Sequence, residues 1–527
     1  MRKLLERYPV LPVVLLALVC LSPFMALRDV TPANELRYLS IADEALRDGH
    51  FFAFYNHGIP YADKPPLYFW LLMFCRLIFG RHCIYVLSLF SFIPAAVITF
   101  VMDRWAYSYR KDAPRQERVA MALLLYSTVY WLGLGFFLRM DMLLAMFIVL
   151  ALHAWHRDKP WQFALFTFLG LFTKGLVGLL MPLLSVAVYV LSYRKRPSDE
   201  SRLRLFRFIG WRFLLLAGGC CAIWFTCAWL EGGSEYLHNL LFHQTVDRTV
   251  NAFHHKEPFW FYLIQIWPVM LPWCFLTIPA CVASLCRRGE SAAPRANAGR
   301  MEKLCRCAFF STIILLSCSS SKLPVYLLPI IPFAVYLLPL YVRRTGWRRW
   351  MDWTIVASAA LFAMIGLSLA VMPLIHDKIP ALAPYTFAAS PWIALAGFVV
   401  LVGGVLTVFS VLKSGRQLLS VRPLAVAVLA FFLALAPLMP QINEYLGYGA
   451  LCRDIPEDAR VYVRGHNRPE NMDVYLGRNI VVVGPDDPLP ADGVLVTKAS
   501  FRDPALEGRA CRIHGESALW LPERGTE

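Results

Sequence analysis

The chain has 527 residues, of which 58% are hydrophobic and only 17% charged, and this composition excludes an ordinary soluble domain. Its apolar runs repeatedly reach bilayer-crossing length without the alternation of β-barrel strands, so the chain reads as a polytopic α-helical membrane protein. The net charge of +16 lies in short connections between apolar runs, which marks membrane topology and excludes a nucleic-acid partner.

The segment Pro9 to Met25, behind a basic start, has the layout of a signal peptide. No small-residue cleavage site follows it and further apolar runs do, so it reads as a retained first helix. Residues 28–83 then interrupt the apolar pattern with Asp29, Glu35, Asp43, Glu44, Asp48 and Asp63, set among aromatics such as Tyr38, Tyr55, Tyr61 and Trp70. That mixture suits a bilayer surface. Within it, 67–80 is short for a span and reads as an interfacial helix.

The apolar runs predict about thirteen spans, near 9–27, 84–103, 117–137, 141–156, 160–173, 175–193, 209–229, 259–285, 305–319, 324–341, 352–373, 391–412 and 422–440. Bases gather in alternate connections, among them Arg104, Arg157, Arg287 and Arg343 to Arg349, which places those connections and the N-terminus in the cytoplasm. The other side, periplasmic in a bacterial inner membrane, then receives 28–83, the turns near Arg139 and Lys174, 230–258, 319–324 and everything after about 441. Residues 1–440 are thus read as a transmembrane domain and 441–527 as a small domain. Its β-branched runs at 459–464, 479–483 and 493–496 point to an α/β fold. Twelve of the fourteen cysteines lie in or beside apolar runs as small hydrophobes; Cys452 and Cys511 could pair if the tail faces an oxidising compartment.

Ionisable groups at membrane edges are costly unless paired or functional. Arg139, Asp141, Lys174, Arg248, Lys256 and Lys322 all fall at the periplasmic ends of the expected spans. Basic residues converging there beside a carboxylate-bearing loop suit a lipid phosphate, with apolar helix faces for its chain. A lipid flippase or transporter would instead show interrupted helices and charges near mid-membrane.

Six motifs carry a resemblance: Asn34-Glu35-Leu36-Arg37-Tyr38, Ala62-Asp63-Lys64-Pro65, Asp141-Met142-Leu143-Leu144, Thr173-Lys174-Gly175, Glu257-Pro258-Phe259-Trp260-Phe261-Tyr262 and Ser321-Lys322-Leu323-Pro324-Val325-Tyr326. In this order the chain resembles the aminoarabinose transferases of lipid A modification, relatives of the protein O-mannosyltransferases. The resemblance spans about 9–341 and implies the GT-C glycosyltransferase fold, with a periplasmic C-terminal domain. It further implies sugar transfer from a polyprenyl (undecaprenyl) phosphate donor to lipid A or another periplasmic acceptor. By position it implies catalytic roles for Glu35, Asp63, Asn34 and Asp141. Substrate phosphates would be bound by Lys64, Arg37, Tyr38, Arg139 and Lys174, together with Arg248, Lys256, Lys322 and Tyr326. A divalent metal ion, if one is used, would lie between Asp63 and His255.

Family members usually carry Asp where this chain has Asn34, and an amide cannot remove a proton. Either Glu35, Asp29 or Asp63 takes that role, or no strong base is needed. A phosphate acceptor is already an anionic nucleophile at neutral pH, whereas a protein or glycan hydroxyl requires a base. Asn34 therefore favours a phosphate acceptor.

Overall fold

A computed structural model describes residues 6–108, 113–192, 199–241, 257–286, 296–382, 384–414, 417–490 and 492–522. Every apolar run read as a span is helical over most of its described length. In lipid only the helix itself can satisfy the backbone of such a run. Among the described residues, six helices are long and apolar enough to cross a membrane, or up to seven if one bent pair counts as a single span. The other expected spans are shorter or broken, except the one near 305–319, which lies in an unbroken 23-residue helix, Ala296–Cys318, that carries Glu302, Lys303 and Arg306.

The bent pair opens the chain. Helix α1 (Leu11–Leu27) turns by 75° at Arg28 into the segment Pro32–Asp48, whose regular part is α2 (Arg37–Asp48). A small hairpin follows, β1 (Tyr55–Asn56) and β2 (Ile59–Pro60), and then α3 (Leu67–Phe79). At 13 residues α3 is about 20 Å long, too short for a hydrocarbon core of about 30 Å. It buries Tyr68, Phe69 and Leu72 and exposes Phe74, Leu77 and Ile78.

Two runs read as single spans are interrupted. The run near 117–137 breaks after Tyr126 at Ser127 and Thr128, and the run near 259–285 breaks between Val269 and Cys274. The breaks face each other: Val129 N–H donates to the Leu271 carbonyl at 2.8 Å, and Trp273 Nε1–H donates to Ser127 Oγ at 2.8 Å. Interrupted helices, associated above with transporters, therefore do occur, but their freed groups bond to one another.

Helices α4 (Asp141–His156), α5 (Pro160–Lys174) and α6 (Leu176–Leu191) form an antiparallel set. A Cβ on Gly178 would lie 2.1 Å from the Gly170 carbonyl carbon, so α5 and α6 meet backbone to backbone beside the tight turn at Gly175 (φ +76°). Only glycine permits both features. They hold Lys174 at the apex of the turn. Further along, α7 (Gly219–His238) kinks at Gly233 (φ +77°).

The tail forms a five-stranded sheet of order β4-β3-β5-β7-β6, from β3 (Val461–Val463), β4 (Val481–Val482), β5 (Val494–Lys498), β6 (Ala510–His514) and β7 (Ser517–Leu521). The three runs read as strands are β3, β4 and β5, which pair in parallel; β6 and β7 add an antiparallel hairpin. Val461, Val463, Val494, Val496 and Leu519 pack in one core with Val30, Leu36, Tyr38 and Leu39 of the first loop. Cys452 is buried in that core, Cys511 is exposed on β6, and both are free thiols, so the suggested pairing is not made.

Candidate active site

The 28–83 loop is fastened where α1 ends. Arg28 donates from Nη1 to Glu35 Oε2 at 2.9 Å and from Nη2 to Glu35 Oε1 at 2.7 Å, and both side chains are almost fully buried. Glu35 also accepts the Thr31 amide (2.8 Å), the Thr31 hydroxyl (3.0 Å) and the Leu138 amide (2.6 Å). With five donors on it, the carboxylate has no lone pair left to take a substrate proton. Arg28 and Leu138 occupy both oxygens, so Glu35 has the surroundings of an anchor for this turn. Asn34, half-buried in the same turn, contributes its carbonyl to the Arg37 amide.

Leu138 lies in the connection that brings Arg139 and Asp141 to this place. Ser91 Oγ–H reaches both the Phe137 carbonyl (2.6 Å) and the Arg139 carbonyl (3.2 Å), holding the connection from below. Asp141, the first residue of α4, is 3% exposed and lies where a helix dipole favours a carboxylate. Arg139 Nε–H donates to its Oδ2 at 2.9 Å, and Lys174 Nζ donates to its Oδ1. Burial opposes the Arg139 charge, but the neighbouring Asp141 more than offsets it and keeps the guanidinium fully charged. Lys174 Nζ also sits 4.6 Å from the centre of the Tyr326 ring.

Two cations on one carboxylate leave this cluster with a net positive charge, and residues of the first loop act on the same surroundings. Burial pushes the Tyr38 phenol up, and the charges of Arg139, Arg37, Asp141 and Asp63 act on it. The Arg37 guanidinium lies over the rings of Tyr61 (5.2 Å) and Tyr38 (5.9 Å), and its Nε is buried with no hydrogen-bond partner. Asp63 and Lys64 are half-buried one turn before α3. Tyr236, at the end of α7, also feels the Asp63 charge.

Lys322 belongs to the adjoining edge. It is 4% exposed and donates to the carbonyls of Glu257 (2.9 Å) and Ser319. The following Leu323 exchanges hydrogen bonds with the Tyr262 hydroxyl (3.2 and 3.3 Å). The 321–326 motif thus meets the Asp141 cluster where Lys174 lies over the Tyr326 ring, and its own lysine is engaged by carbonyls.

Arg248, Lys256 and His255 lie outside the described residues. The metal pair of Asp63 with His255 lies half outside them too, and among the described residues no group of three or more His, Cys, Asp or Glu side chains converges. Sequence reasoning missed Arg28, Glu231 and Tyr236, and named Glu44 only as one acid of the first loop. Glu44 accepts the amides of His57 (2.6 Å) and Gly58 (2.8 Å) and so shapes the hairpin turn. Asp29, considered above as a base, ties the tail to the loop: its Oδ2 accepts the Gly449 amide at 2.7 Å and its Oδ1 accepts the Tyr475 hydroxyl.

No family model matches the chain. Among curated proteins it is similar to the undecaprenyl phosphate-alpha-4-amino-4-deoxy-L-arabinose arabinosyl transferase of Shewanella sediminis, 26% identical over 328 residues, which are 59% of this chain and 56% of that one. The enzyme of the same description from Erwinia tasmaniensis is 24% identical over 346 residues, 63% of this chain and 59% of that one. The match therefore spans a little over half the length of these relatives. Among solved structures, the crystal structure of ArnT from Cupriavidus metallidurans bound to undecaprenyl phosphate has a TM-score of 0.72 at 17% identity, covering 97% of this chain and 98% of that one. At that identity the likeness establishes the fold.

Proposed function

From the GT-C glycosyltransferase fold that this polytopic membrane protein adopts, we propose that the chain moves a sugar from a polyprenyl (undecaprenyl) phosphate to a lipid A phosphate. Transfer takes place at the periplasmic face of a bacterial inner membrane, with the N-terminus cytoplasmic and the C-terminus periplasmic. The aminoarabinosyl transferases among its relatives support an amino sugar as the cargo.

The observation that carries this reading is the buried Arg139–Asp141–Lys174 cluster beside the partnerless Nε of Arg37. In the proposed step an acceptor phosphate oxygen attacks the anomeric carbon, the bond from that carbon to the donor phosphate breaks, and the configuration inverts. Charge develops on the departing polyprenyl phosphate, and preorganised cations stabilise it. Arg37 is placed to donate to such an anion, and Asp141 keeps Arg139 and Lys174 fixed at no reorganisation cost. No proton has to be removed from a phosphate acceptor, in keeping with Asn34 and with a Glu35 already saturated.

Purified protein supplied with undecaprenyl phosphate-aminoarabinose and lipid A tests the proposal by mass spectrometry. The expected product is lipid A heavier by one aminoarabinose on a phosphate. Sugar found on a hydroxyl of protein or glycan would move the assignment to the alternative acceptor class, with Asp63 as base. No transfer from any polyprenyl donor would end the enzyme reading.

A further inference from the structure

We propose that Glu231, on the kinked end of α7, is a positioning residue that sets Asp63 and Lys64 for the donor phosphate; this rests on the glycosyltransferase reading. The Glu231 carboxylate accepts three consecutive amides of the first loop: Phe51 at 2.7 Å, and Phe52 and Ala53 at 2.5 Å each. Three adjacent N–H groups pointing one way suit an anionic acceptor, and charge-assisted bonds of this kind are among the stronger ones available. Two glycines make the approach possible. A Cβ on Gly232 would lie 2.8 Å from the Ala53 Cβ, and Gly233 takes the φ of +77° that turns the helix end over the loop.

One turn later the Tyr236 hydroxyl accepts the Phe54 amide at 3.0 Å and donates to the Tyr61 carbonyl at 3.3 Å. Residues 51–54 and Tyr61 are therefore held from α7. On the other side, Pro65 and Pro66 run directly into α3. Only Ala62, Asp63 and Lys64 lie between the two fixed points, so their placement follows from the grip on 51–61. Along much of its length α7 faces outward from the bundle, with Ile223, Trp229 and Leu230 exposed. The Glu231 grip links that outer helix to the site.

The test uses the full chain and measures binding of undecaprenyl phosphate by the wild type, Glu231→Gln, Glu231→Asp, Lys64→Gln and the double variant Glu231→Gln/Lys64→Gln. An amide at 231 presents one acceptor and one donor to three donors, so Glu231→Gln is expected to weaken binding about tenfold, and Glu231→Asp to recover part of the loss. Residues acting through one another are non-additive, so the double variant should bind no more weakly than Lys64→Gln alone. Wild-type affinity in Glu231→Gln, or losses that multiply in the double variant, would overturn the proposal. Absence of undecaprenyl phosphate binding by the wild type would instead remove the glycosyltransferase reading on which it stands.

Discussion

Replacing Glu35 with Gln leaves the Arg28 guanidinium, itself 4% exposed, facing a neutral amide. Breaking a buried pair in this way costs about 3–5 kcal/mol, since the remaining charge stays out of water. Thermal unfolding in detergent should show a clear drop for Glu35→Gln, with activity lost through stability; wild-type melting would show that the pair is no anchor. Arg37 is the opposite case. Its guanidinium rests on tyrosine rings, so Arg37→Ala should leave unfolding nearly unchanged while weakening phosphate binding by about 1.5–3 kcal/mol, the range for hydrogen bonds to charged groups. A titration with undecaprenyl phosphate distinguishes the two behaviours. Arg139, Asp141 and Lys174 were legible in the sequence because charges at the ends of apolar runs stand out. Arg28 was not, because nothing near it in the sequence shows that Glu35, seven residues on, will fold back onto its guanidinium.

Among the elements, helix positions followed from apolar length, and the interruptions did not. Ser127 and Thr128 are tolerable inside a helix, and nothing local says that a partner 146 residues away in the chain will take the Ser127 hydroxyl. Pro268 and Pro272 were visible hints in the second run, yet prolines also occur inside the helices Ile84–Tyr107 and Ile331–Thr345. Ser127→Ala would leave Trp273 Nε1–H without an acceptor in an apolar setting, at a cost of about 1–2 kcal/mol. A lower unfolding temperature with unchanged donor affinity is the expected result. Loss of affinity at full stability would instead connect the paired breaks to the site. The Glu231 grip was equally silent: a single carboxylate before two glycines has no signature until the loop lies against it.

For the molecule as a whole, the tail is docked on the loop by polar contacts as well as by a shared core. Ser40 Oγ–H donates to Asp473 Oδ2 at 3.0 Å, and His57 Nε2 lies 3.6 Å from the same oxygen. Burial raises the Asp473 carboxyl above its ordinary 3.8, while the His57 charge and the Ser40 hydroxyl pull it back. A carboxyl raised on folding binds its proton more tightly in the native state. Its contribution to stability is therefore full below pH 3.8 and is lost as pH rises through the raised value. Asp473→Asn should remove that fall, so the difference in unfolding free energy between variant and wild type should change with pH across this window. A difference that stays constant would mean that Asp473 is not titrating in the docked tail.

Leu36, Tyr38 and Leu39 share their buried core with Val461, Val463 and Met472, which are synthesised long after them. The hydrophobic side of the first loop therefore stays uncovered while the chain is made in order, and a nascent chain halted between the two segments would lack the partner of its first loop.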